Sequence, residues 1–167
     1  MNDWPSSAMP WPGPRAPGEL ARHVRVRLGT HLYDDSGDVP EGIAIYSLSD
    51  PRDICAIRYV GQTLAPRRRL AQHLARARLW LPEEIPWWVK SPRLRPLYCW
   101  IRELYEDQGR LPVMVVHAWV DPADARRAER EQIQGCLARE LPLLNVEGER
   151  LAAADFGRPR GKRMSGK

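Results

Sequence analysis

The sequence predicts a small α/β (α+β) domain in which a three-stranded antiparallel sheet is flanked by helices, in the order β-β-α-α-β-α. Two β-prone runs, residues 43–49 and 54–60, are separated only by the turn-forming segment DPRD, and this close spacing favours an antiparallel hairpin. A third β-prone run covers residues 112–120. Apolar residues recur at helical spacing between the second and third runs and again after the third, which predicts helices beside the sheet.

Capping and breaking residues set the ends of the predicted helices. Thr and Asp side chains accept hydrogen bonds from the first backbone amides of a helix, whereas glycine often ends a helix in a left-handed conformation. The sequence predicts helices over residues 64–80 with Thr63 as N-cap, 95–108 before Gly109, and 122–140 with Asp121 as N-cap. Upstream of the sheet, Leu20, Val24 and Leu28 recur every four residues and predict a further helix over residues 19–34.

Composition divides the chain into four parts. Residues 1–18 are rich in proline, glycine and serine and are predicted to be a disordered N-terminal tail. Residues 19–42 are expected to form a helical extension and a loop, and residues 43–150 the folded domain. Residues 151–167 end in a basic, polar segment and are predicted to be a disordered C-terminal tail.

Charge and cysteine content narrow the class of partner and the compartment. The 167 residues carry a formal net charge of +5 and a pI near 9.4, which suits a polyanion such as nucleic acid. The 3 cysteines form no CxxC pair, so neither a zinc pattern nor a disulfide framework is indicated. No apolar stretch is long enough to span a bilayer and the N-terminus does not read as a secretory signal, so a cytoplasmic location is expected.

A set of polar and aromatic residues is spread along the predicted elements. It comprises Tyr46 in the first strand, Tyr59-Val60-Gly61 at the end of the second, Arg69 and His73 four residues apart on the next helix, Glu129 on the late helix and Asn145 after it. Singly, each has an ordinary structural interpretation, such as a strand aromatic, a solvated arginine run, a boundary histidine or a salt-bridging glutamate. Their joint occurrence is what indicates a shared site.

In their order and spacing these residues resemble the GIY-YIG nuclease superfamily. Ala44-Ile45-Tyr46 matches the family's first tripeptide, with alanine in place of glycine, and Tyr59-Val60-Gly61 matches the second. The family places an arginine eight residues after the second glycine, a histidine or tyrosine one helical turn later, a downstream glutamate and a late asparagine. Here these are Arg69, His73, Glu129 and Asn145, so that the resemblance covers residues 43–147.

The glutamate position is open to two interpretations. Gln132 stands where an aromatic residue commonly follows the family's glutamate, so either Glu129 or Glu131 could be the metal ligand. Ile133 and Cys136 lie at i+4 and i+7 from Glu129 and place it at the border of a buried helix face. This spacing favours Glu129.

The resemblance implies a metal-dependent endonuclease that hydrolyses DNA phosphodiester bonds with one bound Mg²⁺ or Mn²⁺ ion. Glu129 would then hold the ion and Arg69 would clamp a phosphate oxygen. One of the two tyrosines activates the attacking water while the other orients it, and which does which is open; a neighbouring cation is expected to lower the pKa of such a phenol. His73 either hydrogen-bonds the active tyrosine or is itself the base. Asn145 has an orienting role and Gly61 a structural one.

The expected partner is DNA, and no membrane is expected. Phosphate contacts are predicted for Arg67, Arg68, Arg76, Lys90 and Arg93, with Arg78, Arg95 and Arg102 as further candidates. Trp87 and Trp88 could stack on bases or pack under a proline-rich loop. A homodimer or a targeting partner protein would direct the domain to its site on the DNA. The alternative function is a non-catalytic nucleic-acid-binding module of the same fold within a repair or mobile-element complex.

Overall fold

The computed structural model describes residues 24–28, 31–32, 40–79, 81 and 85–156, which form an α+β structure. Its elements are β1 (Val26–Leu28), β2 (His31–Leu32), β3 (Ile43–Asp50), β4 (Asp53–Thr63), α1 (Pro66–Ala77), a 3-10 turn (Pro92–Leu94), α2 (Arg95–Gln108), β5 (Val113–Val120), α3 (Ala125–Ala138) and α4 (Leu144–Phe156). None of the helices in these ranges is long and apolar enough to cross a membrane. The tail predicted over residues 1–18 lies outside the described residues.

The strands form one mixed sheet in the order β2-β1-β5-β3-β4. β3 pairs antiparallel with both β4 and β5, as the three β-prone runs predict. β1, however, pairs in parallel with β5. The prediction of a three-stranded, purely antiparallel sheet is therefore wrong, because the described part of the chain contributes 5 strands to a mixed sheet.

The prediction of a helix over residues 19–34 is also wrong where the structure describes that segment. Val26–Leu28 form a strand, and β2 follows it. Val24 and Val26 are buried while Arg25 between them is exposed, a period of two that belongs to a strand rather than to a helix. The sheet therefore includes chain that precedes the hairpin, where a helical extension had been expected.

Alternate residues of a strand point to opposite faces of the sheet, and helices cover both of these faces. On one face, Tyr46 and Leu48 of β3 pack in the larger core with the apolar stripes of α1 and α2, in which Leu70 is fully buried. On the other face, Val60 of β4 packs in a smaller cluster with Cys136 of α3. This arrangement brings α1 over the strand positions that carry the candidate tyrosines.

Both predicted N-caps prove to be turn residues. The Thr63 hydroxyl accepts a hydrogen bond from the Ala65 amide at 3.2 Å and does not cap α1. The backbone carbonyl of Asp121 accepts the Asp124 amide at 2.9 Å, so a turn precedes α3, which begins at Ala125. In each case the chain makes one more turn before the helix starts.

A buried arginine from α2 holds the end of α1. The helix stops at Ala77 rather than near residue 80 because Arg78 adopts a left-handed conformation with φ 45°. The Arg102 side chain is 2% exposed and donates to the carbonyls of Ala77 at 2.8 Å and Arg78 at 2.5 Å. It also donates to the carbonyl of Leu81. The suggestion that Arg102 contacts phosphate is therefore wrong, since it satisfies carbonyls that a helix end leaves open.

The C-terminal helix is a further element that the sequence does not predict. α4 spans Leu144–Phe156, so residues 151–156 belong to a helix and not to the disordered tail predicted from residue 151 onward. Leu144 and Ala152 are buried and attach the helix to the rest of the structure. Gly148 allows α4 to lie close to the 3-10 turn, because a Cβ at this position would collide with the carbonyl of Arg93.

Replacement of Arg102 by methionine is expected to lower the free energy of unfolding by about 2–4 kcal/mol, because buried carbonyls lose their donor. Methionine retains much of the apolar volume of the arginine stem. Urea denaturation followed by circular dichroism measures the change. The exposed Arg110 is the matched control, and Arg110→Met is expected to stay within about 0.5 kcal/mol of wild type. Equal stabilities of the two variants would contradict this role of Arg102.

Candidate active site

Tyr46 of β3 pairs across the sheet with Gly61 of β4. A Cβ on Gly61 would lie 2.6 Å from the Tyr46 hydroxyl oxygen, closer than real contacts allow. Gly61 therefore suits the structural role that the sequence predicts, because any side chain at this position would occupy the space of the phenol. The Tyr46 side chain is 1% exposed, and its hydroxyl lies 3.0 Å from Nε2 of His73 on α1.

His73 bridges two phenols in the core. Its Nε2 hydrogen-bonds the Tyr46 hydroxyl, and its Nδ1 lies 3.3 Å from the hydroxyl of Tyr98 on α2. Burial, assisted by the positive charges of Arg69 and Arg76, lowers the pKa of His73 to about 3. The ring is therefore neutral at physiological pH, donating from one nitrogen and accepting on the other. This state favours the hydrogen-bonding role over the alternative in which His73 is itself the base.

Tyr59 of β4 stands beside this pair. Its ring centroid lies 6.4 Å from that of Tyr46 and 6.0 Å from that of His73, and its side chain is only partly buried. Burial raises the pKa of Tyr46 to about 12, although a hydrogen bond and the charge of Arg69 act in the opposite direction. Burial also raises the pKa of Tyr59. The expected lowering of the phenol pKa is therefore wrong for the protein by itself, because desolvation outweighs the neighbouring cation.

Arg69 reaches the same group from one turn earlier in α1. The i, i+4 spacing puts Arg69 and His73 on one face of the helix, so that both side chains meet Tyr46. The Arg69 guanidinium lies near the Tyr46 hydroxyl, and its interaction with that group lowers the pKa of Tyr46 against the larger effect of burial. Its positive charge acts in the same direction on the pKa of Tyr59 and Tyr98. This half-buried guanidinium is a positive charge beside the tyrosines.

Glu129 approaches the tyrosines from α3. Its half-buried carboxylate accepts a hydrogen bond from Nε2 of Gln62, 3.1 Å from Oε2. Burial raises the pKa of Glu129, and the hydrogen bond from Gln62 partly offsets this. The charge of Glu129 contributes to the raised pKa of both Tyr46 and Tyr59, so the carboxylate and the phenols interact electrostatically. Glu131, the alternative ligand, is exposed on the same helix.

An open cleft of about 420 Å³ connects this group to solvent. Tyr59, Glu129 and Asn145 line it, together with Arg93 and Glu149, which form an ion pair at 3.4 Å. The other lining residues are Ser91, Leu94, Arg130, Ile133 and Val146. The structure thus brings the predicted residues together in two layers, with Tyr46 and His73 in the interior and Tyr59, Glu129 and Asn145 at the cleft. Arg69 is partly buried and is not among the residues that line the cleft.

Asn145 fastens the start of α4 to the hairpin. Its Oδ1 accepts the Val60 amide at 2.9 Å, and its Nδ2 donates to the Val60 carbonyl at 2.9 Å. Val60 lies between Tyr59 and Gly61, so this pair of hydrogen bonds holds the backbone that carries both residues. The geometry matches an orienting role, exerted through the strand.

The predicted phosphate contacts are distributed over different surfaces. Arg93 lines the cleft, whereas Arg76 and Lys90 line a neighbouring one. Arg68 is exposed and Arg67 partly buried on α1, and neither lines these two clefts. Of these five cations, Arg93 alone lines the cleft of the candidate site, so they do not form one cluster within it.

The two tryptophans have different environments. Trp87 is 67% exposed, as base stacking requires. Trp88 is partly buried, and its indole Nε1 donates to the Arg76 carbonyl at 2.6 Å. The guanidinium groups of Arg78 and Arg102 each lie 5.3 Å from the Trp88 ring centroid. The packing interpretation thus holds for Trp88, and the stacking interpretation remains open only for Trp87.

Sequence reasoning missed two residues that contact the site. Tyr98 hydrogen-bonds His73, and Gln62 hydrogen-bonds Glu129. Tyr98 falls on the apolar stripe of α2 and resembles an ordinary core aromatic, so the sequence gives no signal for its role. Gln62 directly follows the second tripeptide, which is the one local hint that it lies near the site.

Gly61→Ala is expected to lower the free energy of unfolding by about 1–3 kcal/mol, because the new methyl group competes with the Tyr46 phenol for space. Urea denaturation measures the loss. Gly135→Ala is the matched control, since nothing lies within 4 Å of a Cβ there, and on a helix it is expected to stabilise by about 0.5–1 kcal/mol. If Gly61→Ala unfolds at the same urea concentration as wild type, the phenol does not occupy this space.

His73 is expected to stay neutral in an NMR titration down to about pH 4, in keeping with its lowered pKa. Between about pH 6.5 and pH 3 the unfolded state binds a proton at this residue and the native state does not, so stability falls as the pH is lowered through this window, by at most about 1.4 kcal/mol per pH unit. His73→Gln is expected to remove this component of the pH dependence. A His73 signal that titrates near pH 6.5 would contradict a buried neutral ring.

No family model, no curated protein and no solved structure matches this chain. The similarity to GIY-YIG nucleases therefore rests on the motif residues, and the site is characterised by its own geometry: two phenols, a neutral imidazole, a guanidinium and a carboxylate beside one cleft.

Proposed function

We propose that this protein is a metal-dependent endonuclease that hydrolyses DNA phosphodiester bonds, as its resemblance to GIY-YIG nucleases implies. The observation that carries the proposal is the convergence of Tyr46, Tyr59, Arg69, His73 and Glu129, from four separate elements, beside an open cleft. Burying polar groups is unfavourable unless they are paired, and apolar side chains would fill the same interior more simply. A polar set of this composition supports a chemical role.

The residues present fit one Mg²⁺ or Mn²⁺ ion held by Glu129. These hard cations take oxygen ligands, and Mg²⁺ usually keeps several waters, so a single carboxylate on an open cleft is a sufficient protein ligand. Among the described residues no group of three His, Cys, Asp or Glu side chains could hold a metal, so waters and the substrate would complete the ligand set. When bound, the ion supplies positive charge to the phosphate and the leaving oxygen.

The two tyrosines have different tasks in this proposal. Tyr59 lines the cleft and is the phenol that contacts the attacking water. Tyr46 is buried and orients Arg69 and His73, while Arg69 binds a non-bridging phosphate oxygen through its permanently charged guanidinium. Both phenols are protonated at neutral pH in the protein by itself. Tyr59 therefore orients the water by hydrogen bonding, and it accepts a proton only when positive charge in the cleft lowers its pKa.

The surrounding cations would hold the DNA backbone. The candidates are Arg67, Arg68, Arg76, Lys90 and Arg93, and contacts of this kind position a duplex without reading its sequence. The net charge of +5 favours such a partner. A homodimer or a targeting partner protein that directs the domain to its site remains a prediction.

A second candidate function is a nucleic-acid-binding module without catalysis. The observation in its favour is that burial raises the pKa of Tyr46 and Tyr59 and lowers that of His73, so none of the three is a base near neutral pH in the protein by itself. The arginines alone would suffice for backbone binding. A cleavage assay separates the two functions.

Wild-type protein with Mg²⁺ is expected to nick supercoiled plasmid, and EDTA is expected to stop it. Arg69→Ala and Glu129→Ala are each expected to lower the nicking rate by about 100-fold or more, because each removes charge stabilisation of the transition state. The matched control is Glu131→Ala, which removes an exposed carboxylate from the same helix and is expected to cut at close to the wild-type rate.

Two other results would change the proposal. If the protein binds DNA but does not cut it with any divalent ion, the binding module is supported and the nuclease is contradicted. Loss of nicking in Glu131→Ala, with full activity in Glu129→Ala, would identify Glu131 as the metal ligand.

Tyr59→Phe is expected to slow nicking more than Tyr46→Phe, since Tyr59 is the phenol that lines the cleft.

A further inference from the structure

A second cleft adjoins the candidate active site. It has a volume of about 510 Å³ and shares Ser91 and Leu94 with the first cleft. The C-terminal half of α1, the segment 88–91 and Tyr98 of α2 form its walls. Tyr98 also hydrogen-bonds His73, so an occupant of the second cleft would lie next to the buried network.

The two clefts differ in their charged residues. Among the described residues, three cations line the second cleft, Arg76, Arg78 and Lys90, and no carboxylate does. The first cleft contains two carboxylates, Glu129 and Glu149, and two arginines, Arg93 and Arg130. Three cations with no described carboxylate among them attract a phosphate, whereas in the first cleft the positive and negative charges balance. A nucleic-acid strand that crosses both clefts would therefore place a phosphate in the second one.

The remaining wall of the second cleft is apolar and stiff. Ala75, Val89 and Leu94 contribute aliphatic surface. Trp88 is held in place by its indole hydrogen bond, and the Arg78 guanidinium lies over its ring at 5.3 Å from the centroid. Unpaired bases commonly rest against aromatic rings, apolar side chains or the planes of arginine guanidinium groups. The cleft thus offers surfaces for a base as well as for its phosphate.

The size of the second cleft limits what can enter. Its volume lies within the range of about 300–1,000 Å³ that is typical of sites for small organic ligands. A single nucleotide is of this class, whereas a base that remains stacked and paired in a duplex cannot enter such a cleft without leaving its partner.

We propose that the second cleft binds an unpaired nucleotide of the DNA strand, next to the phosphodiester bond that is cut. Its phosphate contacts Arg76 and Lys90, and its base lies against Ala75, Val89 and Leu94. The identity of the ligand rests on the proposed nuclease function. The substrate that this geometry selects is DNA with a single-stranded arm beside the cleavage site, because such DNA supplies the nucleotide without the free energy of opening a base pair.

Fluorescence anisotropy in EDTA tests the cleft without cleavage. The probes are a blunt duplex and a duplex with a short single-stranded arm, matched in their number of phosphates. Wild type is expected to bind the arm-bearing DNA about tenfold more tightly, the effect of removing roughly 50 Å² of apolar base surface from water. Lys90→Ala removes a cation, and Ala75→Leu fills the cleft without a change of charge. Both are expected to abolish the preference, and Ala75→Leu is expected to bind the blunt duplex like wild type.

Arg110→Ala is the matched control, because Arg110 is exposed and lines neither cleft, and it is expected to keep the preference. Thermal melts verify that each variant is folded. Equal affinity of wild type for the two probes overturns the proposal, as does a preference that persists in both cleft variants. If the protein nicks plasmid but shows no preference for the arm-bearing probe, the proposed nuclease function stands and this inference is overturned. If the cleft variants lose the preference that wild type shows, but wild type does not cleave DNA with any divalent metal ion, nucleotide binding in the second cleft is supported and the nuclease function is contradicted.

Discussion

The hydrogen bond between the Tyr46 hydroxyl and His73 is the interaction on which the rest of the structure depends. It joins the central hairpin to α1 through the core, and it requires the space that Gly61 leaves beneath the phenol. A slip of β3 by one residue would turn Tyr46 to the opposite face and separate it from His73. Strand register and helix position are therefore specified together. Asn145 stabilises the same register, since its side chain hydrogen-bonds the backbone of Val60 on the partner strand.

The burial that makes this bond strong also determines the chemistry of the groups involved. Tyr46 and His73 are removed from water, so desolvation keeps the phenol protonated and the imidazole neutral. Tyr59, Arg69 and Glu129 are only partly buried and lie closer to solvent. In the proposed nuclease, Tyr46 and His73 position the neighbouring groups, whereas Tyr59, Arg69 and Glu129 contact the substrate. A site of this kind is stable because its least solvated polar groups are neutral and hydrogen-bonded to each other.

Much of the fold follows from local pattern, and the exceptions have a common physical reason. β3, β4, β5, α1 and α2 are predicted nearly in full, because their apolar periods and breakers are local properties. β1 is not, since the four-residue spacing that includes Val24 imitates a helix, and only pairing with β5 selects the strand. α4 is missed because Asn145 and Gly148 are typical of turns. Gly148 is instead required by the close approach of α4 to the backbone of Arg93, a tertiary contact that local sequence does not encode.

The candidate site shows the same limit. The sequence identifies Tyr46, Arg69 and His73 as a group, because motif spacing fixes which side chains share a helix face or a strand pair. The direction of the phenol pKa could not be predicted, because it depends on how much water the folded core excludes. The unpredicted α4 has a further consequence: by packing on the 3-10 turn through Gly148, it fixes Leu94, which lies between the two clefts. One connection between a bound nucleotide and the proposed cleavage site therefore passes through Leu94, whose position depends on tertiary packing, and a second passes through the hydrogen bond between Tyr98 and His73.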